Sequence, residues 1–90
     1  MKTPKPGSDE WIAAMTDMFG PMAIFDGFND CLVGVCSRFG IEDHFIYDDR
    51  KIVTQLMREN TWDENEAEEF FDFNIRGAWI GDTTPSFLSR

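Results

Sequence analysis

Hydrophobic residues recur at helical spacing in three stretches of this chain. The first stretch predicts an amphipathic helix over residues 8–19, with Ser8 as its N-cap and a Gly-Pro pair after its end. We expect its apolar face to dock on its own domain, and a groove on a partner is the alternative. The second helix is predicted from its cap, Asp48, to about residue 60.

The third helical stretch begins with the sequence TWDE, in which Thr61 and Glu64 have the spacing of a capping box. We expect this helix to run to about Ile80, because Gly81 suits the position that follows a helix end. Its predicted apolar face is wide and comprises Ala67, Phe70, Phe71, Asn74, Ile75, Ala78 and Trp79.

Three short apolar runs predict strands over residues 31–39, 44–47 and 86–88, with a turn over 40–43 between the first two. The element order is therefore α-β-β-α-α-β. This order predicts a small α+β fold, in which an antiparallel sheet of about three strands carries its helices on one face. Ninety residues make a single domain, 1–90, in which residues 1–7 are expected to form a flexible leader.

Seventeen acidic residues against eight basic ones give the chain a net charge of −9. This charge disfavours direct binding to nucleic acids and to anionic membranes, and it favours a basic protein as the partner. Solubility is the other explanation of the same charge. Neither a secretory signal nor an apolar run of membrane-spanning length is visible in the sequence, so we expect a cytoplasmic protein.

Acidic residues form a row along the third predicted helix. Three of them follow one another at i, i+4 spacing and two lie beside that stripe; the set comprises Glu64, Glu66, Glu68, Glu69 and Asp72. The row is either the solvated face of a packed helix or a set of carboxylates that imitates a nucleic-acid backbone. In the second case these acids are the partner-binding residues, and Trp62 is an aromatic anchor beside them.

Two residues of the same stretch are unusual in a helix interior. Asn74 falls on the predicted apolar face, where a buried amide needs hydrogen-bond partners. Gly77 costs about 1 kcal/mol relative to alanine within a helix. Close approach of a neighbouring loop or strand would explain both residues, and a small-ligand site formed by Asn74, Gly77 and Trp79 is the alternative.

Cysteine and histidine are too few for a recognisable catalytic or metal site. Cys31 and Cys36 lie five positions apart, which places them on opposite faces of a regular strand, so we expect two buried thiols. His44 is the single histidine, and no serine or cysteine lies in a nucleophile motif. We therefore expect a protein that is not an enzyme and that holds no metal or other cofactor.

The segments YDDRKIVTQLM and EAEEFFDFNIRGAWIGDTTPSF resemble a family of small uncharacterised proteins of tailed bacteriophages. The likeness covers residues 28–88 and ends in the pattern N-x-x-G-A-x-x-G-x-x-T-P. The matching residues are Gly34, Tyr47, Asp48, Asn74, Gly77, Ala78, Gly81, Thr84 and Pro85. The resemblance implies a phage or prophage origin, and hence the host cytoplasm, but it implies no activity and no catalytic residues.

These observations favour a small acidic phage-type protein that acts by protein–protein binding. Its expected partner is a basic host protein or defence complex that binds nucleic acid. The protein would inhibit this partner by charge mimicry, resembling the acidic anti-CRISPR proteins that imitate DNA. One alternative is a homo-oligomeric assembly module joined through the first helix or the last edge strand. A small-ligand-binding protein is the other alternative.

Overall fold

A computed structural model describes residues 4–89 and confirms an α+β fold with the predicted order of elements. The fold has three helices and a three-stranded sheet. A short 3-10 turn, Asn29–Cys31, precedes the first strand, and a π-helical turn, Asp72–Arg76, follows the third helix. The helices are α1 (Asp9–Phe19), α2 (Asp49–Asn60) and α3 (Glu64–Phe71), and the strands are β1 (Leu32–Arg38), β2 (Ile41–Asp48) and β3 (Ser86–Leu88). Within the described residues, no helix is both long and apolar enough to cross a membrane.

The predicted caps of the first two helices are confirmed. Ser8 accepts the Trp11 N–H at 3.2 Å, and Asp48 accepts the Lys51 N–H at 3.1 Å. Both side chains therefore satisfy a backbone donor that the first helical turn leaves without a partner.

The capping box of the third helix was assigned to the wrong pair of residues. Thr61 is the C-terminal residue of the preceding turn and adopts a left-handed conformation at φ 57°, so it cannot also begin α3. Asp63 caps α3 instead, because it accepts the Glu66 N–H at 2.9 Å while the Glu66 carboxylate accepts the Asp63 N–H at 3.2 Å. The sequence TWDENE fits the capping-box spacing twice, and the end of α2 decides between the two.

The sheet has the order β1-β2-β3 and is mixed rather than purely antiparallel. Strands β1 and β2 form the predicted antiparallel hairpin, but β2 already begins at Ile41, so the turn has only two residues, Phe39 and Gly40. Strand β3 pairs in parallel with β2, with Ser86 opposite Ile46. The chain between these strands passes through two helices and the irregular residues 77–85, a crossover long enough to return the chain to the starting end of the sheet.

The core lies between one face of the sheet and the helices. Phe45 and Tyr47 on β2 are fully buried, and Trp11 packs against Phe45 with ring centroids 5.7 Å apart. Helix α1 therefore docks on its own domain. Phe87 of β3 contacts three rings at centroid distances of 5.1 to 6.4 Å, those of Phe25, Tyr47 and Phe71.

The segment ahead of α1 is in contact with the rest of the fold from residue 7 onward. Gly7 is buried and adopts φ +91°, and a side chain at this position would overlap the carbonyl oxygen of Asn29. The Ser8 N–H also donates to the Lys5 carbonyl at 3.0 Å, which closes a turn before the helix. Residues 1–3 of the predicted leader lie outside the described part of the chain.

The third helix ends earlier than predicted. Its α-helical part stops at Phe71, and the π turn that follows ends at Gly77, which has φ −82° and ψ −4°. In a π turn the hydrogen bonds span five residues rather than four, so the side chains rotate less per residue than in an α-helix. Ile75 is buried as predicted, whereas Asn74 is exposed to solvent, so the prediction of Asn74 on the apolar face is wrong.

Candidate functional site

The five predicted acidic residues of α3 and its π turn are all exposed, and they divide between two sides of the helix. Glu64, Glu68 and Asp72 border α2. A groove of about 300 Å³ lies on this side and is lined by Glu68, Asp72, Arg50 and Arg76, among others. Glu66 and Glu69 lie on the outer side, away from α2, and line a different groove. Because a spacing of two residues rotates an α-helix by about 200°, Glu66 lies on the opposite side of the helix from Glu64 and Glu68, and the five acids do not share one face.

Arginine side chains partly neutralise the stripe that borders α2. Arg50 donates to Glu64 at 3.0 Å, and Arg76 lies 3.5 Å from Asp72 and 3.2 Å from Asp49. The Arg76 guanidinium also lies over the Phe71 ring, 4.9 Å from its centroid. The end carboxylates of the stripe are therefore ion-paired within the domain, which lowers their availability for a basic partner.

The outer side of α3 combines acidic and aromatic side chains. A shallow groove of about 360 Å³ is lined there by Trp62, Glu66, Glu69, Phe70, Phe73 and Asn74. Phe73 is 83% exposed and Phe70 is 38% exposed, although both are large apolar side chains. Trp62 is half-buried and packs against Phe70 with a centroid distance of 5.3 Å and the two rings tilted by 48°, so the tryptophan ring is held in place at the start of the groove. We call these six residues the outer α3 surface.

Sequence reasoning identified Trp62 and the two glutamates of this surface but missed the two phenylalanines. Phe70 was placed on the buried face of the helix, and its exposure results from the short length of α3, which packs on the core chiefly through Ala67 and Phe71. Phe73 falls outside the predicted apolar face, and this position was the signal in the sequence that its ring is exposed.

Asn74, Gly77 and Trp79 are not brought together. The Asn74 amide donates to the Phe70 carbonyl of its own helix at 3.2 Å. An added side-chain atom at Gly77 would lie 3.3 Å from the Asp72 carbonyl, so the nearest neighbour there is its own π turn and not a strand. Trp79 lines a separate groove beside the β1–β2 hairpin. Asn74 and Trp79 therefore line two different grooves, and Gly77 lines neither of them.

The residues that carry the phage-family resemblance have structural roles near the C-terminal end. Thr84 closes a turn, because its hydroxyl donates to the Gly81 carbonyl at 2.6 Å and accepts the Ile80 N–H at 2.9 Å. Gly81 adopts φ +123°, which favours glycine, and Pro85 is buried directly before β3. The pattern G-x-x-T-P therefore builds the turn that directs the chain into the sheet.

The groups that were considered for metal binding or catalysis have structural partners. The Cys31 thiol is buried beside the Gln55 side chain, and burial raises its pKa to about 11, which leaves it unreactive near neutral pH. Cys36 is half-buried on β1, directly opposite His44. In residues 4–89 no three His, Cys, Asp or Glu side chains form a group that could hold a metal ion.

One contact resembles the first two members of a catalytic triad. The His44 Nε2 lies 2.7 Å from the Ser86 hydroxyl, and the His44 Nδ1 lies 2.9 Å from the Glu42 carbonyl. With Nδ1–H donating to that carbonyl, Nε2 accepts the proton of the serine hydroxyl. His44 is only 7% exposed, and its contact with Ser86 fastens β3 to β2.

No family model, curated protein or solved structure matches this chain. The resemblance to small phage proteins therefore stays a prediction, and the functional argument depends on the surfaces of the molecule.

Proposed function

We propose that this protein acts by binding another protein through the outer α3 surface. The observation that carries the proposal is Phe73, which is 83% exposed between two glutamates and beside the Trp62–Phe70 pair. Aromatic residues at the centre of a surface with a charged rim are the usual anatomy of a protein-binding site. The exposed ring has no internal packing role, and a pocket on a partner would remove it from water.

The charge of this surface selects the partner. Glu66 and Glu69 border the aromatic residues, neither forms an ion pair within residues 4–89, and the whole chain carries −9. A basic surface on the partner complements this arrangement and accelerates association through electrostatic steering. Basic surfaces of this kind are typical of nucleic-acid-binding proteins, so the protein competes with nucleic acid for its partner.

Competition with nucleic acid makes the protein an inhibitor by charge mimicry. The mimicking carboxylates are those of Glu66 and Glu69, since Glu64 and Asp72 are paired with Arg50 and Arg76 and Glu68 lies on the side that borders α2. The resemblance to phage proteins favours a bacterial target, such as a host defence complex that binds DNA or RNA. The aromatic residues add a contact that nucleic acid does not offer in the same form, which gives the protein specificity for one target.

The proposal is tested by capturing partners from a bacterial lysate and then measuring competition. The tagged parent is compared with Phe73→Ser and with Glu69→Lys, and a captured protein is purified and titrated with labelled nucleic acid in the presence of each variant. We expect the parent to displace the nucleic acid, and each substitution to weaken displacement at least about tenfold, as expected for a residue at the centre of an interface.

Asp17→Lys is the matched control, because Asp17 is an exposed acid on α1, far along the chain from the outer α3 surface, and its reversal changes the net charge by the same amount as Glu69→Lys. If Asp17→Lys weakens binding as much as Glu69→Lys, net charge and not this surface drives the interaction. If Phe73→Ser binds as well as the parent, Phe73 is not an anchor of the interface. Glu66 is left unchanged in this series because its carboxylate also caps α3.

A further inference from the structure

A second exposed apolar surface lies at the turn of the β1–β2 hairpin, apart from α3. Phe39 is 102% exposed in the two-residue turn, and Trp79 is 73% exposed across a groove from the hairpin. The groove has a volume of about 490 Å³ and is lined by Gly40, Ile41, Glu42, Trp79 and Asp82. We call Phe39, Ile41 and Trp79, with their neighbour Ile80, the hairpin-tip surface.

The turn itself does not require an aromatic residue. Gly40 adopts φ +92°, which the third position of this turn needs, whereas Phe39 occupies a position that accepts most residue types. Ile41 and Ile80 are 44% and 47% exposed beside the two rings. Four large apolar side chains that are this exposed in one region, in a chain with 28% charged residues, indicate a surface that is covered in the working state.

Charges of both signs flank this surface. Arg38 pairs with Ile41 on the hairpin ladder, is exposed, and forms no ion pair within residues 4–89. Glu42 and Asp82 line the groove together with Ile41 and Trp79. A twofold axis through the tip would bring Arg38 of each copy to Glu42 of the other, which is the reciprocal pairing that a symmetric dimer requires.

The exposed area fits a small, reversible dimer. Phe39 and Trp79 together remove roughly 300–400 Å² of apolar surface per copy when they are covered, and the two isoleucines add to this area. A stable interface of ordinary size buries about 800 Å² per partner, so these four side chains supply about half of it and the polar rim supplies the remainder. An area of this size corresponds to a weak dimer rather than an obligate one.

From these observations we infer that the hairpin-tip surface joins two copies of this chain in a twofold dimer. The contact does not use the outer α3 surface, so two partner-binding surfaces stay accessible in the dimer. This inference does not depend on the proposed function, and either can fail without the other.

The test is sedimentation velocity of the full chain from about 5 to about 500 µM, the range in which weak interfaces dissociate. We expect a concentration-dependent monomer–dimer equilibrium for the parent, and an increase in its dissociation constant of at least about tenfold for Phe39→Ser. Phe73→Ser is the matched control, because it removes an exposed phenylalanine from the other surface and should leave the dimer unchanged. Circular dichroism checks that each variant is folded.

Charge reversal gives a second test that does not rely on loss of an apolar group. Arg38→Glu and Glu42→Arg should each weaken the dimer, and mixing the two variants should give a heterodimer with opposite charges on its two halves. A parent that stays monomeric at about 500 µM overturns the inference. So does a dimer that survives both Phe39→Ser and the charge reversals, or one that is lost in Phe73→Ser.

Discussion

Replacing Gly7 by alanine tests whether the segment before α1 is part of the folded domain. The added Cβ would overlap the carbonyl oxygen of Asn29 and would also lie 3.0 Å from its carbonyl carbon. That carbonyl cannot move away freely, because it accepts the Leu32 N–H at the end of the 3-10 turn. We therefore expect Gly7→Ala to destabilise the protein strongly.

The magnitude follows from two separate costs. At φ +91° an L-residue is strained by about 1–2 kcal/mol relative to glycine, and forcing an extra atom against fixed backbone adds about 1–3 kcal/mol. Gly27→Ala carries the first cost alone, because Gly27 has φ +89° and nothing lies within 4 Å of its added Cβ. Lower entropy of the unfolded chain offsets about 0.4–1 kcal/mol in both variants, so it cancels in the comparison.

Urea unfolding followed by tryptophan fluorescence measures the difference, because Trp11 is buried in the core. We expect Gly7→Ala to lose about 1–3 kcal/mol more than Gly27→Ala, which corresponds to a further fall in melting temperature of about 4 °C or more. Equal losses in the two variants would mean that the overlap with Asn29 is relieved at no cost, and a nearly neutral Gly7→Ala would mean that residue 7 is free of the fold and that the predicted leader extends through it. The denaturant slope should stay unchanged in both variants, since neither alters the surface exposed on unfolding.

Three further predictions concern stability. Thr61→Gly should raise the free energy of unfolding by about 1 kcal/mol, because glycine relieves the left-handed strain of a β-branched residue; an unchanged value in urea would contradict this. The stability that the neutral Cys31 thiol contributes should be constant below pH 9 and be lost between pH 9 and 11, because burial raises the Cys31 pKa from 9.0 to about 11 and the unfolded chain loses that proton first. Cys31→Ala should remove this loss of stability. The part above pH 10 that comes from Tyr47 should remain, because burial also raises the pKa of Tyr47. Ser86→Ala should cost about 1–2 kcal/mol by thermal unfolding, because the buried His44 loses a partner at 2.7 Å, and a neutral result would show that this hydrogen bond does not stabilise the attachment of β3.

Local rules explain which parts of the fold the sequence could predict. Ser8 and Asp48 were correct caps because a cap depends on a few neighbouring residues and on the apolar pattern that follows. The sequence could not show which residue begins α3, since Thr61 and Asp63 both fit a capping box. The end of α2 decided between them through a hydrogen bond from the Trp62 N–H to the Met57 carbonyl at 3.2 Å.

Long-range geometry explains most of the errors. The direction of β3 depends on how residues 77–85 cross the molecule, and no periodicity in the sequence records that path. Asn74 lies on the same side of the helix as Phe70, which is already 38% exposed, so the apolar face is narrower than predicted. For the candidate site, the exposure of the acids was predictable. Their division into a paired and an unpaired group was not, because it depends on where α2 places Arg50.

The topology of the sheet also implies an order of folding. The β1–β2 hairpin closes through a two-residue turn and can form early, whereas pairing of Ile46 with Ser86 must close a loop of about forty residues. Strand β3 should therefore join late, so that substitutions at Phe87 accelerate unfolding more than they slow folding. Amide protons of β3 should exchange before those of β2, and its release would uncover Tyr47 and Phe71, the rings that Phe87 shields.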